Sequence, residues 1–469
     1  MLVNYIALLP ELVLFLGLIT MGLVRIFRHT STPKTFYIIY RLFLLISAAS
    51  TVLFYNQNVG EYFYNNSYTT LFKFLLYSMT FIWGYLSLKY FVSKNISSFV
   101  FYEIVLFNLL CFSIAVSAHN LLFLFIGLSF QFLANNILLR IDARKAGAKV
   151  LGVFSLLVVM TFAAGIAILY FYAKTLDYGA IERIMGIRSQ IIWQYQFSVA
   201  CIIACLLFMM GVAPFHFWFS CVVGNSILPV SGYLTIVPIF AYFSCLVNIC
   251  INAFYPLMDW LNQVFIIFGV LSIFFGAIGA TSESNLRKIF GYSSLYFIGV
   301  SIITLFPLSD QGVVASFTYL LVYVLAMYGI YTVFYGYRCK GEYMKELSDI
   351  KGVATQRPFL SAALLIFMIS LIGTPPLLGF LGKLAVVNSL LIGQHFALIG
   401  FELFAMLILV CAYLKVITAV YFESRNNMFD VVDRGVYICL LINVILILVV
   451  IINPKYLMHD VEMMLVEVF

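Results

Sequence analysis

The feature that most constrains this chain is the recurrence, from end to end, of apolar stretches roughly twenty residues long. They lie near residues 2–25, 36–55, 69–91, 98–117, 119–139, 149–173, 191–212, 226–253, 257–281, 288–306, 312–337, 358–392, 396–424 and 434–452. Each suffices, as a helix, to cross a hydrocarbon core of about 30 Å. Strands of a membrane barrel would instead read as short alternating segments. Composition agrees, with 64% hydrophobic and 10% charged residues and a mean hydropathy of +1.08, against roughly 25% charged in soluble domains. The sequence therefore predicts an all-α integral membrane protein of about fourteen transmembrane helices, one polytopic membrane domain over residues 1–469.

The basic residues orient it. Of the 26 Lys and Arg, only Lys174, Arg183, Arg188 and Lys455 fall at even-numbered connections or the C-terminal tail. Arg41, Lys73, Lys383 and Lys415 lie inside stretches, and the remainder sit at odd-numbered connections. Positive charge stays on the inner side, so both termini are expected outside. This topology accounts for the net charge of +7 without nucleic acid. Tyr178–Gln190, on the outer side, reads as a short interfacial helix, and no loop is long enough for a soluble domain.

Other chemistries find little support. The N-terminus lacks a cleavable signal or an Arg-rich presequence, so the first stretch is expected to be retained. The nine cysteines include no C-x-x-C pair, and Cys201 and Cys205 read as small apolar packing residues. Gly379-Phe380-Leu381-Gly382-Lys383 lacks the first glycine of a phosphate loop and has Leu384 where Ser or Thr belongs. Asn65 and Asn95 head N-x-S sequons on opposite sides of the expected topology. No metal or cofactor site emerges within the chain.

Two segments break the helical pattern. In the first, Pro214 and His216 interrupt Gly211–Trp218 at the end of the seventh stretch. The second is residues 358–392, which as one helix would run about 52 Å. It carries Gly373-Thr374-Pro375-Pro376 and Gly379 in its middle. Consecutive prolines remove backbone donors and clash with the preceding turn, so the helix is expected to open there. Opened backbone at membrane depth is tolerated only inside protein or beside water, and broken helices mark ion or substrate sites in transporters. Lys383 follows seven residues after Pro376. A lysine near the bilayer centre is costly, which makes Lys383 the leading proton-carrying candidate, with snorkelling to an interface as the alternative. Lys149, at the edge of the sixth stretch, and His216 are further candidates. Glu11, Lys73 and Glu103 lie near stretch ends, where pairing or snorkelling competes with function.

Several ordered fragments together resemble the antiporter-like subunits of respiratory complex I, in particular the chain 2 or subunit N type of NADH:ubiquinone oxidoreductase. They include Leu8-Leu9-Pro10-Glu11, Leu121–Arg140, Ala213-Pro214-Phe215-His216-Phe217-Trp218, Asn285–Ser294, and Gly373-Thr374-Pro375-Pro376 through Lys383. The resemblance implies an antiporter-like fold with two discontinuous helices, near Pro214 and Pro375-Pro376. It divides the chain into N-terminal helices (1–117), two antiporter-like halves (118–253 and 257–424) and a C-terminal helix and tail (425–469). NADH, FMN, iron–sulfur clusters and ubiquinone are then expected in partner subunits, with other membrane-arm subunits and lipids around this chain.

The resemblance also implies a mid-membrane line of charge: a glutamate in the fifth helix, lysines in the seventh and eighth, and a lysine after the second break. Alignment puts Ser129, Met209 and Ile239 at the first three positions and leaves Lys383 at the last. No Lys, Arg, Asp or Glu occurs from Gln190 to Asn252. Removing both partners of a buried ion pair is less costly than removing one, so a degenerate proton path is expected. A proton-coupled cation antiporter, a related membrane-bound hydrogenase and a structural scaffold are the competing functions. Phe, Tyr, Ile and Asn usage suggests an AT-rich genome and a mitochondrial inner membrane, with a bacterial plasma membrane as the alternative.

Overall fold

The computed structural model describes residues 5–27, 33–54, 62–94, 96, 98–141, 146–187, 192–305, 310–424 and 429–452. Their helices begin with α1 (Leu9–Phe27), α2 (Pro33–Leu53), α3 (Ser67–Lys94), α4 (Phe99–Ser117), α5 (Leu121–Leu138) and α6 (Ala146–Ala173). The short α7 (Tyr178–Ile187) precedes α8 (Ile192–Met210), α9 (Phe217–Asn225), α10 (Leu228–Asn252), α11 (Met258–Ser282), α12 (Leu286–Thr304) and α13 (Asp310–Gly336). A hairpin of β1 (Arg338–Cys339) and β2 (Glu342–Tyr343) leads to α14 (Val353–Gln356), α15 (Pro358–Ile372), α16 (Leu378–Ile392), α17 (Phe396–Tyr421) and α18 (Arg434–Ile452).

Eleven described helices are long and apolar enough to cross a membrane. With α12, the α15–α16 pair and α18, the described elements are compatible with fourteen crossings. The interfacial segment forms α7, starting at Tyr178 as expected.

Helix ends follow local chemistry. Asn120 caps α5 by accepting from the Leu122 amide at 2.9 Å. Asn285 caps α12, accepting from the Arg287 amide at 3.0 Å and the Lys288 amide at 3.4 Å. The β1–β2 turn places Lys340 and Gly341 at positive φ, where the carboxylate of Asp430 accepts from both amides.

The chain divides into two compact units. The first comprises the described parts of Met1–Met210 with Val237–Trp260, and the second those of Gly211–Ile236 with Leu261–Met463. In the first, α1 packs on α2 and α4, α2 on α3, α4 on α5, and α6 on α8. In the second, α13 is central, packing on α12, α15, α16 and α18. The outward faces of peripheral helices stay apolar: Phe15, Leu16, Met160, Phe404 and Leu407 are all more than half exposed. Water would not tolerate so continuous an apolar surface, whereas lipid does. One sequon is settled by packing, since Asn65 is buried and donates to the Ala7 carbonyl at 2.8 Å. Asn95 lies outside the described residues.

Candidate functional site

The expected opening of residues 358–392 occurs between α15 and α16. Gly373 ends α15 at φ +79°, its amide donating to the carbonyls of Ser370 at 3.0 Å and Ile369 at 3.2 Å. Only glycine adopts this conformation at low cost. Pro375–Pro376 follows as a cis peptide, and α16 begins at Leu378. The Gly379 amide donates to Ser370 Oγ at 3.3 Å. A Cβ on Gly379 would collide with the Ser370 backbone carbonyl, so two backbones meet where no side chain fits.

One turn into α16, Lys383 turns back toward this break; a Cβ on Gly373 would lie 3.0 Å from Lys383 Cδ. Helical side chains lean toward the N-terminus, which brings the ammonium group to the opened backbone. Its counter-charge comes from α17. Lys383 Nζ lies 3.7 Å from Glu402 Oε1, with side-chain exposures of 16% and 3%. That separation is ionic, beyond direct hydrogen-bond range. The direct bond to Glu402 comes from α12, where Tyr296 donates its hydroxyl to Oε1 at 2.8 Å. The same hydroxyl lies 3.2 Å from the Glu402 backbone carbonyl. Glu402 Oε2 is buried without a hydrogen-bond partner. The site therefore holds a lysine, a glutamate and a phenol, with one carboxylate oxygen unused.

Two separate hydroxyl pairs tie the neighbouring helices together. On α13, Tyr323 donates to Ser294 Oγ at 2.6 Å and lies 3.0 Å from the Thr235 carbonyl. Ser293 bonds the hydroxyl of Tyr413. Tyr323 and Tyr319 both stack on Phe297, with centroids 5.2 Å apart in each case.

The other candidates behave differently. At the first break Gly211 takes φ +76°, the Ala213 amide donates to Ser272 Oγ at 3.0 Å, and the Ala213–Pro214 bond is cis. His216 immediately precedes α9 and stacks on Phe275 with centroids 5.0 Å apart. Among the described residues no carboxylate lies within ion-pair distance of it. Lys149 belongs to α6, but its side chain lies outside the described residues. Lys415 donates to the Thr281 carbonyl.

Ser129, Met209 and Ile239 are all buried in the first unit. Ser129 Oγ has no hydrogen-bond partner, and Met209 and Ile239 are apolar. Near them, on α5, fully buried Gln131 accepts from the Tyr242 hydroxyl of α10, a neutral contact.

Two members of the charged site escaped the sequence reading. Glu402 carried a usable signal, an acid deep within the apolar stretch 396–424. Tyr296 carried none, since its role depends on which helix faces α17.

A model of the family described as NADH:quinone oxidoreductase/Mrp antiporter, TM, matches residues 118–409. The chain belongs to this family. Subunit N of NADH-quinone oxidoreductase from Francisella tularensis subsp. holarctica is 29% identical over 439 residues, covering 89% of each chain. Subunit N from Rhodospirillum rubrum is 27% identical over 352 residues, covering 74% of this chain and 72% of the relative. A chain of respiratory complex I from Thermus thermophilus superposes with a TM-score of 0.81 at 20% identity, covering 96% of this chain and 98% of that one. A chain of the Mrp complex from Dietzia sp. gives 0.85 at 14% identity, covering 98% and 97%. At these identities the structures establish the fold, which is antiporter-like, as the sequence predicted, and helical apart from the short β1–β2 hairpin.

Proposed function

We propose that this chain is a subunit-N-type membrane-arm component of a proton-translocating NADH:quinone oxidoreductase. The observation that carries this reading is likeness to curated subunits N along nearly the whole length, 89% of both chains in the Francisella case. The chain has no redox chemistry of its own in this reading. NADH, FMN, iron–sulfur clusters and quinone belong to partner subunits, and this chain converts charge displacement into proton movement within the membrane arm. The curated relatives are bacterial, which favours the bacterial plasma membrane over the mitochondrial inner membrane expected from composition.

Within the chain, proton exchange centres on Lys383, Glu402 and Tyr296. Protonating Glu402 at the unused Oε2 would leave Lys383 without its counter-charge and favour release of a proton from the ammonium group. Tyr296 holds the carboxylate in reach of Lys383 whichever form it takes. Ser129, Met209 and Ile239 cannot titrate at physiological pH, so the path through α5, α8 and α10 is degenerate in this proposal. Of the four positions on that mid-membrane line, only Lys383 is then left to carry protons.

Native electrophoresis of mild-detergent membrane extracts, stained for NADH dehydrogenase activity and probed for this chain by mass spectrometry, tests the assignment. The chain is expected in a large active band. Recovery only in a small inactive band would refute it and favour the Mrp-type antiporter that the family also contains.

A further inference from the structure

Outside the region matched by the family model, a second buried pair of opposite charges joins α1 to α3. Lys73 Nζ lies 2.7 Å from Glu11 Oε1, with side-chain exposures of 2% and 10%. The approach is ionic, off the hydrogen-bond axis, and neither carboxylate oxygen has an aligned donor. The aligned bond from Lys73 goes instead to Asn65 Oδ1 at 2.8 Å. Asn65 is pinned by its own bond to the Ala7 carbonyl at 2.8 Å and accepts from Ser117 Oγ at 3.4 Å.

Lys73 also lines a small cavity with Ser50, Thr51, Asn65 and Thr70. It has room for about one water and offers the two to four polar partners that a buried water needs. Just before Asn65 in the chain, Phe63 bridges Ala118, and the Tyr64 amide donates to the Ser117 carbonyl at 3.0 Å. Lys73 lies in the second turn of α3, about 9 Å from its start. This is the end of α1 that carries the N-terminus, expected outside from the distribution of Lys and Arg.

We propose that Glu11, Lys73 and this cavity form a second proton-exchange site, at the outer ends of the N-terminal helices. A proton crosses from Lys73 Nζ to Glu11 Oε1, leaving a neutral amine and a neutral carboxyl. Water in the cavity exchanges protons with Lys73, so the pair changes net charge without moving a helix. The facing groups from the other packed elements are Ser50 and Thr51 of α2, Tyr77 of α3 and Asn65, none of which titrates near neutral pH. Ser113 and Ser117 of α4 are equally inert. The imidazole of His119 packs on Tyr64 and Tyr178. Burial lowers its pKa, against the opposing pull of Asp177.

The inference rests on the proposed proton-translocating function, and two measurements keep them separable. In the reconstituted complex, Lys73→Arg keeps the positive charge but cannot release a proton. It is expected to lower the proton-to-electron ratio with NADH oxidation unchanged. E11Q/K73M removes both charges, avoiding the cost of an orphaned partner, and is expected to assemble with the same lowered ratio. A wild-type ratio in either assembled variant, or failure of both to assemble, would overturn the proposal. On the full-length purified chain, infrared difference spectra on acidification are expected to show a carboxyl band that is lost in E11Q/K73M. Identical spectra would overturn the site even if the chain proved to belong to another complex.

Discussion

Two regions, the α5–α10 contact of the first unit and the Lys383 site of the second, solve the same problem, polar groups deep in a membrane protein, in opposite ways. In the first, the buried polar contact between α5 and α10 is Gln131 with Tyr242, and the surrounding positions are Ser129, Met209 and Ile239. A neutral amide–phenol contact satisfies itself and stores no charge. In the second, Lys383 and Glu402 stand 3.7 Å apart, with Tyr296 on one carboxylate oxygen and nothing on the other. Such a site is costly to bury and responds to any change in protonation. The difference teaches that membership of a proton-translocating family does not distribute titratable groups evenly along a chain. A neutral contact leaves no buried charge to compensate, whereas the Lys383 site keeps its charges beside the polar backbone that a helix break supplies.

The comparison breaks most directly at Lys383. Lys383→Ala leaves Glu402 as an orphaned buried charge, at a cost of about 3–5 kcal/mol, so less complex should assemble and what remains should lose coupled proton uptake. Adding Glu402→Gln should restore assembly without restoring proton uptake; recovery of both would make the pair structural. The break itself comes next. Gly379→Ala drives a methyl into the Ser370 carbonyl and should cost about 1–3 kcal/mol, read as a lower Tm of the purified complex. Tyr296→Phe removes a hydrogen bond to a charged group, worth about 1.5–3 kcal/mol; the coupled rate should fall by about tenfold or more while quinone reduction without a membrane gradient is retained. The smallest effect is expected in the first unit. Ser129→Ala removes a buried hydroxyl that has no partner and should change stability by at most about 1 kcal/mol, with an unchanged proton-to-electron ratio. A fall in that ratio after Ser129→Ala would mean that the α5–α10 region carries protons after all.

Much of this was legible in the sequence because bilayer thickness and backbone satisfaction leave so few options. The lengths of the apolar stretches announced helices, and Gly373 through Gly379 announced where one must open, because proline and glycine act through the local backbone. Lys383 stood out because a charge in an apolar run is expensive wherever the run folds. The same rule flags Glu402, which shows that the signal was present on both sides of the pair.

Partnership was not legible. Lys383 meets Glu402 nineteen positions later in the chain and Tyr296 on a third helix, and Lys73 meets Glu11 across two helices. Sequence by itself determined that this chain lies in a membrane, that it is built of helices, and which backbone positions cannot remain helical, because those follow from local chemistry and solvent. Only the tertiary structure decided which charges neutralise one another, which hydroxyls reach them and which carboxylate oxygens are left unused. Those outcomes depend on how the helices rotate and pack, a matter of side-chain shape summed over the whole fold, and residue spacing does not encode them.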